Sequence, residues 1–150
     1  MKKFSLKILY LTFLLILSPL SLYADSLKIG FGSCIDETKP QPIWEAVEKE
    51  NLNDFFFVGD NVYGDLDSGE LSNMGPAYEK QEENFPNWLK NLKPLAIWDD
   101  HDYGLNDGGV EYTLKKEAQK LFLDFWNIDI KDERHKREGI YFAESRQIKD

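Results

Sequence analysis

The chain has 150 residues, 42% of them apolar and 14% aromatic, and a formal charge of −9 from 27 acidic and 18 basic side chains. That composition is globular and excludes a wholly disordered chain. The acid excess argues against a sequence-independent nucleic-acid binder, which needs a net basic face, and against a polybasic membrane-surface module. One cysteine excludes an intrachain disulfide framework, and the length suits one small domain.

Residues 1–24 read as a leader. MKKFSLK is basic, Ile8 to Leu20 is an almost unbroken apolar run, and Ser21-Leu22-Tyr23-Ala24 follows. This is the layout of a secretory signal peptide, with cleavage expected after Ala24. The apolar run is about 13 residues, short of the roughly 20 that a transmembrane helix needs. An uncleaved anchor is the alternative, because Leu22 is larger than the residue preferred three before a cut. Without an Arg-Arg pair the expected route exports an unfolded chain. The product, residues 25–150, is then periplasmic or extracellular, with no stable membrane span. Its 126 residues hold 27 acids against 15 basic residues, a net charge of −12.

Leu27 to Phe31 reads as a strand that stops at Gly32-Ser33. Cys34 follows, and its type alone leaves three readings: a buried inert thiol, an intermolecular disulfide or a metal ligand. Pro42 suits the first turn of a helix with Ile43, Trp44 and Val47 on one face, ending near Asn51-Leu52-Asn53. Phe55-Phe56-Phe57-Val58 is continuously apolar, as in a strand covered on both faces, and ends at Gly59-Asp60. A loop over 59–75 precedes a helix from Pro76 to Glu83. Pro86 interrupts it, and Trp88, Leu89 and Leu92 form a second short amphipathic turn.

Leu95-Ala96-Ile97-Trp98 is a third apolar run, ending at Asp99-Asp100-His101-Asp102, with a loop over 104–109. Leu114, Ala118, Leu121, Phe122, Phe125 and Trp126 mark the clearest amphipathic helix, its stripe a packing face. A charged, solvated connector over 131–138, including His135, precedes a fourth strand over Gly139–Ala143. No internal repeat occurs.

Strands alternating with helices argue an α/β fold with a largely parallel sheet. Ligands in such sheets sit beyond the carboxyl ends of the strands. Three strands end at Ser33-Cys34, Gly59-Asp60 and Asp99-Asp100-His101, so these residues should converge on one edge. Gathered carboxylates repel one another unless a cation or proton separates them. A bound metal would hold Asp60, Asp99, Asp100 and Asp102 together; for any single acid, a solvated loop residue is the plainer reading. Oxygen ligands favour Ca²⁺, Mg²⁺ or Mn²⁺, and a thiolate with a phenolate favours iron or zinc. Other templates fail. The third glycine of a dinucleotide turn would fall at Ile35, no phosphate-cradling Gly-x-x-x-x-Gly-Lys occurs, and Ser33 lacks the Gly-x-Ser-x-Gly frame.

Phe31-Gly32-Ser33-Cys34, Gly59-Asp60-Asn61-Val62-Tyr63-Gly64-Asp65 and Ile97-Trp98-Asp99-Asp100-His101-Asp102-Tyr103-Gly104-Leu105-Asn106-Asp107 carry a resemblance. Together with Arg137-Glu138-Gly139-Ile140-Tyr141, they resemble the secreted PhoD-like alkaline phosphatase/phosphodiesterase family, a branch of the calcineurin-like metallophosphoesterases. The resemblance covers nearly all of residues 27–143. It implies the N-terminal half of a four-layer α/β/β/α sandwich with metals at the strand ends. It implies that Cys34 and Tyr63 ligate Fe³⁺ and that Asp60 bridges to a second metal, Ca²⁺, with Zn, Mn or Mg as substitutes. Asp100 stands where relatives place the Asn ligand of Gly-Asn-His-Asp/Glu. His101 stands where the histidine stabilises the phosphate or protonates the leaving alkoxide, so His101 and Asp60 are the expected catalytic residues. Asn61, Asp65, Asp102 and Asn106 are expected to fix the loops behind them. The implied substrate is a small phosphate mono- or diester, attacked by a metal-activated hydroxide.

Relatives take further ligands, histidines among them, from beyond the Gly-Ile-Tyr segment. This chain has only His101 and His135. It is therefore expected to be the N-terminal part of a longer enzyme, weak in metal binding and turnover alone, with an uncovered sheet face and poor solubility. The competing readings are a non-catalytic exported metal- or phosphate-binding domain, an inactive gene fragment, and a plain α/β domain whose acids only solubilise it.

Overall fold

The computed structural model describes residues 26–145. The expected leader over 1–24 lies outside them. Among the described residues no helix is long and apolar enough to cross a membrane. The chain is mixed α/β. In order it forms β1 (Ile29–Gly32), α1 (Ile43–Glu48), β2 (Asp54–Val58), α2 (Met74–Asn84), α3 (Asn87–Leu92), β3 (Leu95–Ile97), the single-turn α4 (Asp100–Tyr103), α5 (Lys115–Phe125) and a 3₁₀ turn (Glu133–His135).

The three strands form one parallel sheet in the order β1-β2-β3. Phe31 pairs with Phe56, Phe57 with Ala96, and Val58 with Ile97. Successive crossovers that step in one direction with one hand place their helices on the same side of a sheet. The packing agrees. Phe55 and Phe57 point to the helical side, where Trp44 of α1 meets both rings at 5.7 and 6.0 Å between centroids. Phe85 and Trp126 close over Phe57 at 5.3 and 5.0 Å. Tyr78 of α2 stacks on Phe125 of α5, which ties those helices together. Alternation along β2 thus buries Phe55 and Phe57 to 5% and 2% exposure.

The opposite face is open. Ile29, Phe31, Val58 and Ile97 are exposed, Phe31 by 67%, and Phe31 stacks on the half-buried Phe56. The continuous Phe-Phe-Phe-Val run therefore does not mark a strand covered on both faces, since the crossover helices occupy only one side. Among the described residues nothing covers this apolar face.

Two further expectations are corrected. Ile43 does not share the buried face of α1; it is 56% exposed while Trp44, about 100° round the helix, takes the core position. Residues 139–143 form no strand. Their backbone groups are taken by side chains instead: Gly139 N–H donates to Gln119 Oε1, and Arg137 donates to the carbonyls of Gly139 and Tyr141. The charged connector before them is also less solvated than expected. Arg134 is buried and donates through its fork to both carboxylate oxygens of Asp132. His135 is half-buried, with Nε2 3.1 Å from Ile128 O.

Candidate metal centre

All three strand ends open on the same edge. Beyond β1 the ladder continues for two residues, with Cys34 N–H donating to Gly59 O at 3.2 Å and Ile35 N–H to Asp60 O at 3.0 Å. These bonds weld the Cys34 loop to the Asp60 loop. The backbone there is unusual: Cys34 and Asp60 are non-glycine residues at φ 58° and 49°. Left-handed conformations in such residues are uncommon and cluster where a side chain must be aimed. Gly59, at φ 110°, lets the end of β2 approach the third strand's loop. A Cβ there would stand 2.5 Å from Asp99 Cβ.

Asp60 is the focus. Its Oδ2 accepts the Tyr63 hydroxyl at 3.3 Å and faces the Cys34 thiol at 3.5 Å. Its Oδ1 is buried and has no hydrogen-bond partner. One carboxylate, one Asp100 oxygen and one His101 ring nitrogen lie mutually within 4.8 Å, the one such cluster among the described residues. Cys34 is exposed, which removes the reading of a buried inert thiol.

Around this focus the remaining expected residues act as braces. Asp102 is fully buried. It accepts the backbone N–H of Asn61 at 3.0 and 3.1 Å, Asn61 Nδ2 at 3.0 Å, and the N–H of Asp99 at 3.2 Å. Burial pushes its carboxyl up to about 7, against the N–H groups that favour the charged form. Asn61, also fully buried, spends its other amide hydrogen on Ile97 O, so β3 and the Asp60 loop are locked together. Asp65 accepts from His101 Nδ1 at 2.7 Å and from Asn106 N–H at 3.1 Å. Asn106 itself is exposed and contributes this backbone group. Asp100 accepts Asp107 N–H at 2.8 Å, the main reason its carboxyl lies below the ordinary range.

The electrostatics follow from the crowding. Burial, then the neighbouring Asp60 and Cys34 side chains, pushes the Tyr63 phenol well above its usual value. Partial burial works against a charged His101. The hydrogen bond and charge of Asp65, with Asp60 and Asp100, outweigh it and raise the imidazole. Its ring also lies against Tyr63, 4.3 Å between centroids. The site is thus rich in groups that want positive charge nearby.

These groups fit a cation. An orphaned buried carboxylate oxygen is a cost that a metal removes. A thiol and a phenol on the other oxygen supply the softer donors that iron or zinc accepts, and Asp100 supplies a hard one. Asp60 is the shared residue: Cys34 and Tyr63 meet its Oδ2, while Asp100 and His101 cluster with it and Cys34 stands outside that cluster.

Sequence reasoning missed Glu37 and Gln119. Glu37 is buried behind the Cys34 loop and bonds the Tyr63 backbone; an acid three residues after the cysteine was its only signal. Gln119 is buried on α5 and staples the segment after it, donating to Arg134 O and Arg137 O. A polar residue inside a packing stripe was the clue. No family model, curated protein or solved structure matches the chain.

Proposed function

We propose that this chain carries the metal centre of an exported metal-dependent phosphoesterase acting on phosphate mono- or diesters, of the PhoD-like type. The reading rests above all on Asp60. One of its oxygens is buried without a partner, the other meets a thiol and a phenol, and Asp100 and His101 stand beside it.

Cys34, Tyr63, Asp60 and Asp100 would hold the ions, iron on the thiol-phenol side and a harder ion such as Ca²⁺ on the carboxylate side. Such ions, when bound, supply Lewis acidity and lower the pKa of water toward neutrality. The protein's own part is proton handling and orientation. Asp65 holds His101 at Nδ1, which fixes the tautomer and leaves Nε2 free to donate a proton to the departing alkoxide. Against the partial burial that lowers it, this carboxylate with Asp60 and Asp100 raises the imidazole's pKa, which favours the protonated state needed for that donation. Asp102 and Asn61 prevent the Asp60 loop from turning away under the strain of its left-handed residue.

A second reading, metal binding without turnover, has one observation in its favour. Among the described residues, His101 is the only imidazole in the cluster, and no Lys or Arg bonds to its members to receive a phosphate. Assay of the purified chain with aryl phosphate mono- and diesters, with and without chelator, separates the two. Chelator-sensitive turnover that falls at least about 10²-fold in His101→Ala supports the esterase. Metal retention without turnover supports the binding domain. A chain that neither holds metal nor turns over substrate contradicts both.

A further inference from the structure

Glu37 is 4% exposed and lies in the loop after β1, three residues beyond Cys34. Its Oε2 accepts the backbone N–H of Tyr63 at 2.9 Å. Its own carbonyl accepts Asn84 Nδ2 at 2.8 Å, which pins the loop to the last residue of α2. Among the described residues no Lys or Arg pairs with it, so its burial is compensated there by this amide contact. It also stands outside the Asp60–Asp100–His101 cluster.

The segment from Asp60 to Tyr63 is held at both ends by buried acids. Asp102 takes the N–H of Asn61, and Glu37 takes the N–H of Tyr63. Between them Val62 is fully buried. With both amides tied, the Tyr63 backbone has little freedom, and its phenol meets Asp60 Oδ2 at 3.3 Å. Because Glu37 shares a short loop with Cys34, one hydrogen bond fixes the spacing of two donors that approach Asp60 from different strands.

We propose that Glu37 is a positioning residue of the metal centre: through the Tyr63 amide it sets the phenol, and through its own loop the thiol, against Asp60 before a cation binds. The proposal rests on the metal-centre reading above. Glu37 ligates nothing; it lowers the reorganisation that ligation needs, as outer partners of metal ligands do.

The test uses the full chain with Glu37→Gln, which keeps a carbonyl acceptor, Glu37→Leu, which removes it, and Glu37→Asp, which keeps the charge but shortens the reach. Without metal, the Tyr63 amide proton is read by NMR. With Fe³⁺, the phenolate charge-transfer band is titrated. The unmodified chain and Glu37→Gln are expected to share a downfield Tyr63 amide and similar iron affinity. Glu37→Leu and Glu37→Asp are expected to lose the amide shift and to bind iron at least about tenfold more weakly. If Glu37→Leu fails to fold, Glu37→Asp carries the comparison. Iron binding that is equal in all forms overturns this proposal alone, as does a Glu37→Gln chain as impaired as Glu37→Asp. An unmodified chain that binds no iron overturns the metal-centre reading and this proposal with it.

Discussion

At the scale of single residues, the site concentrates groups that elementary electrostatics would keep apart. Tyr63 is the sharpest instance, because burial and the neighbouring Asp60 carboxylate hold its phenol protonated. Only a cation at Asp60 reverses that balance. Tyr63→Phe is therefore expected to remove the visible band of the iron-loaded protein, while leaving the unfolding midpoint without metal nearly unchanged. Spectrophotometry and chemical denaturation check the two halves. Far from the site, the Arg134 fork and backbone N–H hold Asp132 well below the usual carboxylate range. A depressed folded-state pKa means stability that is present above the unfolded value, near 3.9, and lost as pH falls through the folded one. The unfolding midpoint should accordingly fall below pH ~4, and Asp132→Asn should fall less steeply across that window. Thermal melts from pH ~6 to ~2 measure the difference. These pairings were not legible in the sequence: nothing in Lys131–Glu138 distinguished the forked Arg134 from its solvated neighbours.

At the scale of elements, strand ends proved more informative than strand interiors. The abrupt stops at Cys34, Asp60 and Asp99-Asp100-His101 were readable because apolar runs gave way to glycines and acids. The parallel sheet then brings those stops to one edge. Gly59 shows what that approach requires, since a methyl group would collide with Asp99 Cβ and φ is 110°. Gly59→Ala is expected to cost about 1–3 kcal/mol and to loosen metal binding, both measurable by denaturation with and without the ion. Phe57 anchors the other side of β2, fully buried among Trp44, Phe85 and Trp126. Phe57→Ala should cost about 3–5 kcal/mol in the same experiment. The failed fourth strand has a physical reason as well. Ile140-Tyr141-Phe142 has strand-forming side chains, but side chains of Gln119 and Arg137 satisfy the backbone around it.

At the scale of the whole molecule, the helices take one sheet face and leave the other apolar and exposed. The one-sidedness follows from the strand order, which hydrophobic patterning alone did not reveal; the Phe55–Val58 run had pointed to two covered faces. An open face of this kind favours self-association. Sedimentation is expected to show concentration-dependent association that the double substitution Phe31→Lys, Val58→Lys suppresses without lowering metal affinity. The central claim is the proposed metal centre, whose candidate ligands sit at three strand ends and whose assembly would therefore depend on the entire sheet. Its most direct measurement is titration of the metal-free chain with Fe³⁺, followed by absorbance. A saturable thiolate-phenolate charge-transfer band of weak affinity, abolished in Asp60→Asn, is the expected result. A protein that stays colourless throughout the titration, or one whose band survives Asp60→Asn, would contradict the account.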